Sequence, residues 1–382
     1  MIVLDANAFW TEELFSSCAR CADILLLKPR DFRAHYARHH RLRGDVSAKK
    51  IREGVWEQRF SMPPGWMFSL WPMSARVLAK HIRRFVSGAP FVLVVTYPQY
   101  RSLIPLLCPT LSIYYNLDDY ADNWPNHADR MERWENETVA TADLTICIAE
   151  HRAEQLRARV AAKAAQIYHL PLGATPRFMS EPGERVSPDP ELLRRIPRPR
   201  VGHVGALNWR FDYEFLARVA RELPQIQFVL GGKVPGDSDG APAWLEGLRR
   251  ARELSNVHFI GWVEHDAIGK YLRAFDALFM CYSECRFNRN ASPAKLWDYL
   301  GSARPVVAND RNPETLLWRE VIRIGANPEA FAKAITDALA EQGDELSARR
   351  LEIACAHTWD KLSRRLEEIV LRSSARALPA NS

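Results

Sequence analysis

The stretch "SPAKLWDYLGSARPVVAND", residues 292–310, decides how this chain is read. Ser292 and Pro293 suit the N-cap and first position of a helix. The pattern predicts a helix from about Pro293 to Leu300, stopped at Gly301, with a short apolar strand behind it. The start of such a helix carries free N–H groups and the positive end of the helix dipole, a seat for a phosphate. Lys295 adds a mobile cation in the first turn. Asp298 lies on the same face, where its carboxylate can accept hydrogen bonds from two ribose hydroxyls. An ordinary i,i+3 ion pair on a surface helix accounts equally well for Lys295 and Asp298, and their spacing does not choose.

Outward from this stretch, short aliphatic runs alternate with helical patterns. In the first half they are "MIVLDA", "DILLLKP", "FVLVVTY", "LSIYYNL", "LTICIA" and "QIYHLPL". In the second they are "RVGHVG", "QFVLGG", "VHFIGW", "ALFMCY", "PVVAND" and "VIRIG". The runs show little period-two alternation, so they predict strands covered on both faces, as in parallel sheets flanked by helices. The alternation breaks between 176 and 199, a stretch rich in Pro and charge, which reads as a linker. The expected organisation is an α/β domain over 1–175, the linker, a second α/β domain over 200–355, and a last helix with a frayed tail over 356–382.

The bulk numbers narrow the function classes. The chain has 382 residues, 47% apolar and 26% charged, with a formal charge of +6. This fits a two-domain globular protein with a mild preference for anionic partners. Seven scattered cysteines fit a reducing compartment better than a disulfide framework. Cys18 with Cys21, and Cys281 with Cys285, lack further ligands at metal-binding spacing, and His35, His39 and His40 do not complete a set, so no metal site is expected. No signal-peptide pattern and no membrane-spanning run is visible, so the expected location is cytoplasmic. Residues 28–59 are strongly basic and are followed by the aromatic, Pro-rich "FSMPPGWMFSLWPM". One reading is a solvated helix face and then an irregular packed loop. The other is a patch over 28–73 that touches the inner face of the cell membrane or a lipid-linked substrate. No nucleic-acid motif accompanies it.

Pro293, Lys295, Asp298, Tyr299, Pro305, Val306 and Val307 resemble the nucleotide-sugar signature of GT-B glycosyltransferases, above all family 4 and related bacterial polysaccharide enzymes. "GHVGALNWRFDYEFLARVARELPQIQFVLGG", "NVHFIGWVEHDAIGKYLRAFDALFMCYS" and "HTWDKLSRRLEEI" resemble further sections of the same family. The likeness is strongest over residues 200–370. It implies a GT-B α/β fold: two Rossmann-like domains facing across a cleft, with a C-terminal helix returning to the first. It implies a hexosyltransferase-type enzyme that moves a sugar from a UDP or GDP donor to an acceptor hydroxyl. The acceptor would be a glycan or lipid-linked molecule in cell-surface polysaccharide synthesis. No cofactor and no metal are implied beyond the nucleotide sugar itself, and retention of anomeric configuration is implied. A sugar-nucleotide epimerase of the same fold, or a non-catalytic relative that binds a nucleotide or a protein, are the alternatives.

The resemblance places Lys295 on the donor's diphosphate and Asp298 where the family carries a ribose-binding Glu. Asn290 stands where many members have an earlier Glu. In "HVGALNWR", Gly205 lets the backbone approach a ligand, and Arg210 is either a second cation on the diphosphate or a surface ion pair. Met280 and Tyr282, at a strand end, either border the nucleotide base or pack in the core. Asp212 reads as a helix cap. In the first domain, "SIYYNLDDYADNW" ends a strand with two adjacent acids, Asp118 and Asp119. Ligands collect at the carboxyl ends of parallel strands. The candidate catalytic acid is Asp118, with Asp119 beside it, acting on the acceptor hydroxyl or a developing oxocarbenium. A helix N-cap with a first-turn acid is the competing reading.

Overall fold

Twelve of the fourteen strands coincide with the aliphatic runs of the sequence. The computed structural model describes all residues except 41, 43, 46, 186, 235–241 and 378–382. Arg41 and Arg43 of the basic stretch, and the tail beyond Ala377, lie outside the described residues. The chain divides into two units. One comprises Met1–Pro171 and Trp359 onward, and the other Leu172–Thr358.

The first unit is built on β1 (Ile2–Leu4), β2 (Ile24–Asp31), β3 (Lys49–Arg52), β4 (Val55–Met62), β5 (Val92–Val95), β6 (Leu111–Asn116), β7 (Leu144–Cys147) and β8 (Ile167–His169). They form one sheet in the order β3-β4-β2-β1-β5-β6-β7-β8, parallel except for β3. Helices cover the strands, and Leu25, Leu27, Leu78, Leu93, Val95 and Leu156 sit in its core. That is why these strands read as continuous apolar runs rather than alternating ones.

β3 and β4 correct the expectation for residues 28–59. Only Phe32–His39 is helical there; the next section is an antiparallel hairpin whose second strand pairs in parallel with β2. The pattern hid it because Glu57, on β4, is buried in ion pairs with Lys28 and Arg59, so a strand position carries charge.

The helix Trp359–Ala377 belongs to the first unit, although the chain reaches it from the second. Arg20 holds it, with Nη1 3.2 Å from Asp360 and Nη2 2.8 Å from Glu367. The returning helix implied by the family resemblance is therefore present.

The second unit contains β9 (Arg200–Val204), β10 (Gln227–Gly231), β11 (Val257–Gly261), β12 (Ala277–Met280), β13 (Val306–Ala308) and β14 (Arg323–Ile324). They form an all-parallel sheet in the order β11-β10-β9-β12-β13-β14. The Pro-rich residues 176–199 pack with this unit. Ser180 Oγ, for example, donates to the Ser302 carbonyl at 2.6 Å.

Both sheets share one topological feature. The chain winds outward from β1 in one direction, then resumes at β5 on β1's other side. In the second unit it does the same at β9 and β12. In open α/β sheets, ligands bind outside the carboxyl ends of the two strands where the order reverses. Those ends are Asp5 and Thr96 in the first unit, and Gly205 and Cys281 in the second. No helix among the described residues is long and apolar enough to cross a membrane.

Candidate active site

At the switch point of the second unit, β9 ends in Gly205, whose N–H donates to the Gly231 carbonyl at 2.9 Å. Gly205 has φ +153° and Gly232 has φ +154°, values that side chains rarely adopt. A methyl group on Gly232 would lie 2.0 Å from the Gly205 carbonyl oxygen, and one on Gly205 would lie 2.9 Å from Lys295 Cε. The two glycines therefore let two strand ends and one lysine share a space that a Cβ would fill.

Lys295 reaches that space from the helix Ala294–Gly301. Tyr299 stands one turn later on the same face, and its hydroxyl accepts from Val204 N at 2.9 Å and donates back to Val204 O at 3.3 Å. This double bond to the end of β9 fixes the helix and aims Lys295 over Gly205. The helix begins at Ala294, with Pro293 as the N-cap and no side chain capping it. Ser292 is not the cap that its residue type suggests. The Ser-Pro pair leaves the first N–H groups of the helix without a side-chain acceptor beside the lysine.

Arg210 completes the cationic side. Residues 209–212 run against 281–283: Asp212 N donates to Cys281 O at 3.1 Å, and Ser283 N donates to Arg210 O at 2.9 Å. The Arg210 guanidinium stacks on Phe287, 3.8 Å from the ring centroid. Lys295 Nζ lies 5.6 Å from the centroid of Tyr282. Burial, with the repulsion of Arg210, lowers the Lys295 pKa to about 8. Two cations crowded at one strand end suit a polyanion. Asp212 caps the helix Tyr213–Glu222 by accepting from Phe215 N at 2.9 Å, as its place in the sequence suggests.

The other expected donor residues are less close. Met280 is fully buried beneath Tyr282 and accepts from its hydroxyl at 3.5 Å, so it packs rather than lines. Asn290 is buried at the end of the short helix Arg286–Asn290. Asp298 Oδ1 accepts from Thr175 N at 3.0 Å. Burial pushes the Asp298 pKa up to about 7, against the lowering effect of Thr175 and Arg177.

His203 escaped the sequence reading, although it stands inside the quoted "GHVGALNWR". Its Nδ1 faces the Phe279 carbonyl at 3.0 Å, so Nδ1 carries the proton and Nε2 presents a lone pair. Nε2 is buried, has no partner among the described residues, and lies 3.7 Å from the position a Gly205 methyl would take. Burial, then Lys295, holds His203 neutral, well below the usual imidazole range.

In the first unit, the two adjacent acids have different surroundings. Asp119 is buried, 3.9 Å from Arg152, whose guanidinium also meets both oxygens of Glu135 at 2.9 and 2.8 Å. Tyr114 and Asn116 bond to the same Glu135. Burial opposes the charge of Arg152, but Glu135 and Asp119 outweigh it and raise its pKa. Asp118 is half-buried; it accepts from Asp119 N at 2.9 Å and from Asn123 Nδ2 at 3.0 Å. Asp119 is thus built into an ion network, and Asp118 is the acid nearer the surface.

A third acid lies at the switch point itself. Asp5 follows β1 with φ 57°, accepts from the Tyr100 hydroxyl at 2.9 Å, and also accepts from Asn7 Nδ2. Burial pushes its pKa up to about 6. Asp5 stands in no motif; only its place at the end of the first strand marks it. Among the described residues, no cluster of three or more His, Cys, Asp or Glu is placed to hold a metal ion.

Residues 198–341 match the model of a family described as Glycosyl transferases group 1. The Bacillus subtilis protein TuaH, named for a glycosyltransferase of teichuronic acid biosynthesis, is 22% identical over 278 residues, 68% of each chain. Sucrose-phosphate synthase from Thermosynechococcus elongatus has a similar structure, with TM-score 0.72 and 16% identity over 98% of this chain and 99% of its own. So has Anabaena HepE, in its complex with UDP and glucose, with TM-score 0.66 and 14% identity over 97% and 98%. At such identities, these two likenesses speak for the fold.

Proposed function

We propose that this chain, which has the GT-B fold and matches the model of group 1 glycosyl transferases over residues 198–341, moves a sugar from a nucleotide-diphosphate donor to an acceptor hydroxyl in cell-surface glycan synthesis. The observation that carries the reading is the meeting of Gly205, Arg210, Tyr282 and Lys295 at the switch point of the second sheet. There the glycine leaves the backbone open, and Lys295, Arg210 and the helix start oppose the negative charge that builds on the departing diphosphate. The Lys295 ammonium lies over the Tyr282 ring, 5.6 Å from its centroid. The lone pair of His203 Nε2 faces the same space and can accept a hydrogen bond from the Lys295 ammonium.

These protein cations support a departure that needs no metal, and the family resemblance supports retention of configuration. Asp298 has one oxygen committed to Thr175 N, which leaves the other for a ribose hydroxyl. Asp118 is the acid assigned to the acceptor side, because Asp119 is occupied by Arg152. A lipid-linked acceptor and a peripheral membrane contact over 28–73 are supported by exposed Tyr36 and Ile51 among basic neighbours.

The test is product analysis with a panel of UDP- and GDP-sugars, with and without acceptor glycans and with EDTA. Transfer that is dependent on acceptor and unchanged by EDTA is expected. An altered sugar nucleotide without acceptor would indicate an epimerase, and no turnover with tight nucleotide binding would indicate a non-catalytic relative. The anomeric proton of the product, read by NMR, decides retention or inversion.

A further inference from the structure

The first unit holds a second cationic site, which the donor chemistry does not use. A cavity of about 210 Å3 is lined by Lys28, Arg30 and Arg59 from the sheet, and by Arg38 and His39 from the helix Phe32–His39. The strand register creates it. Lys28 of β2 sits opposite Arg59 of β4, and Arg30 lies two residues beyond Lys28, so the pleat presents all three on one face. The helix that follows β2 then brings Arg38 back over them.

The charges in this cavity do not balance. Lys28 Nζ meets Glu12 and Glu57, each at 2.6 Å, and Arg59 pairs with the same Glu57. Those two carboxylates are therefore taken up by Lys28 and Arg59. Arg30 Nε donates to the neutral Asn7 Oδ1 at 2.8 Å, and Asp5 acts on it from beyond Asn7. Arg38 meets no carboxylate within 4.0 Å among the described residues. Burial and the charges of Arg38 and Arg59 together lower the pKa of Arg30. Guanidiniums that crowd one another around a cavity are stabilised by an oxyanion, which each can grip through two parallel N–H groups. The cavity also adjoins the carboxyl ends of β1 and β2, beside the switch point of this sheet.

We propose that this cavity binds an oxyanion on the acceptor, a phosphate ester or a sugar carboxylate, through Arg30, Arg38 and Arg59. The inference rests on the reading of the first unit as the acceptor side, and it makes the acceptor an acidic or phosphorylated sugar. Ligand-observed NMR titration of the full chain with glucuronate, glucose 1-phosphate and neutral glucose tests it. Each titration is run in a Lys295→Ala background, so that the donor site does not compete for phosphate.

At least one of the two anions is expected to bind and glucose not to bind, and the tighter anion tells carboxylate from phosphate. Arg38→Gln, on an exposed helix position, is expected to weaken that binding about fivefold, and Arg30→Gln with Arg38→Gln about tenfold or more. Unchanged circular dichroism, and unchanged nucleotide affinity when the same arginine substitutions are made with Lys295 intact, confirm that the fold and the donor site persist. The inference is overturned if neither anion binds, if binding is equal in the arginine variants, or if glucose binds as well. Because the readout is binding in the first unit, such a result leaves sugar transfer standing. Transfer fails on its own test, through the nucleotide and product measurements.

Discussion

Raising the pH should strip the donor site of half its cationic charge. Lys295 titrates near pH 8 in the free protein because it is half-buried and stands beside Arg210. Only its ammonium attracts a diphosphate, whose own phosphates are fully ionised above pH 7. With a pKa of about 8, the lysine is about nine-tenths charged at pH 7 and about one-tenth at pH 9, so nucleotide affinity should weaken about tenfold between them. Arg210 stays charged throughout and sets the residual affinity. A cation 4 Å from a phosphate contributes about 4 kcal/mol at an effective dielectric of 20. Partial exposure screens this toward about 2 kcal/mol, so Lys295→Ala should lose about thirtyfold at pH 7. Calorimetric titration of a nucleoside diphosphate at pH 7, 8 and 9 measures both effects. The variant should bind weakly and show no slope. A wild-type affinity independent of pH, or an equal slope in Lys295→Ala, would refute the placement of this lysine on the diphosphate.

Gly232→Ala forces a methyl group to 2.0 Å from the Gly205 carbonyl at φ +154°, and should cost about 2 to 5 kcal/mol in urea unfolding. Gly88→Ala, at φ +86° with open space around it, should cost only about 1 kcal/mol. The Asp298 pKa is raised to about 7 in the folded protein, so folding favours its protonated form, and stability is lost as pH climbs from about 4 through 7. Asp298→Asn removes that loss: its gain over wild type should be about 2 to 3 kcal/mol larger at pH 8 than at pH 5 in chemical denaturation. Arg152→Ala leaves Asp119 and Glu135 buried without their cation and should cost about 3 to 5 kcal/mol. Asp118→Asn should cost under about 1 kcal/mol yet lower kcat about a hundredfold with donor binding intact.

The layers of the fold were legible because buried parallel strands need apolar residues on both faces, and short runs such as "FVLVV" and "ALFM" recur between helical patterns. β3 and β4 were not legible, because Lys49, Lys50 and Glu57 put charge where strand patterns expect side chains of one kind. The ion pair of Glu57 with Lys28, which helps make this tolerable, joins residues far apart in the chain. The meeting of Gly205 and Lys295 was legible only as two separate motifs 90 residues apart. What joins them is Tyr299, whose hydroxyl grips Val204 across the sheet end. His203 stood inside a family-like section without a role assigned to it, and Asp5 carried no motif at all. Their chemistry arises from burial and from neighbours that the topology delivers, Phe279 for one and Tyr100 for the other.

The central claim is a nucleotide site at the end of β9, built on Lys295 and Gly205. The most direct test is thermal unfolding of wild type and Lys295→Ala with UDP, GDP, ADP, TDP and CDP, each with and without EDTA. At about 100 times its dissociation constant, the matching nucleotide should add about 2.7 kcal/mol of stability to the wild type. EDTA should leave that gain unchanged, and most of it should vanish in the variant. No gain from any nucleotide, or a gain that survives the loss of Lys295 in full, would contradict the site.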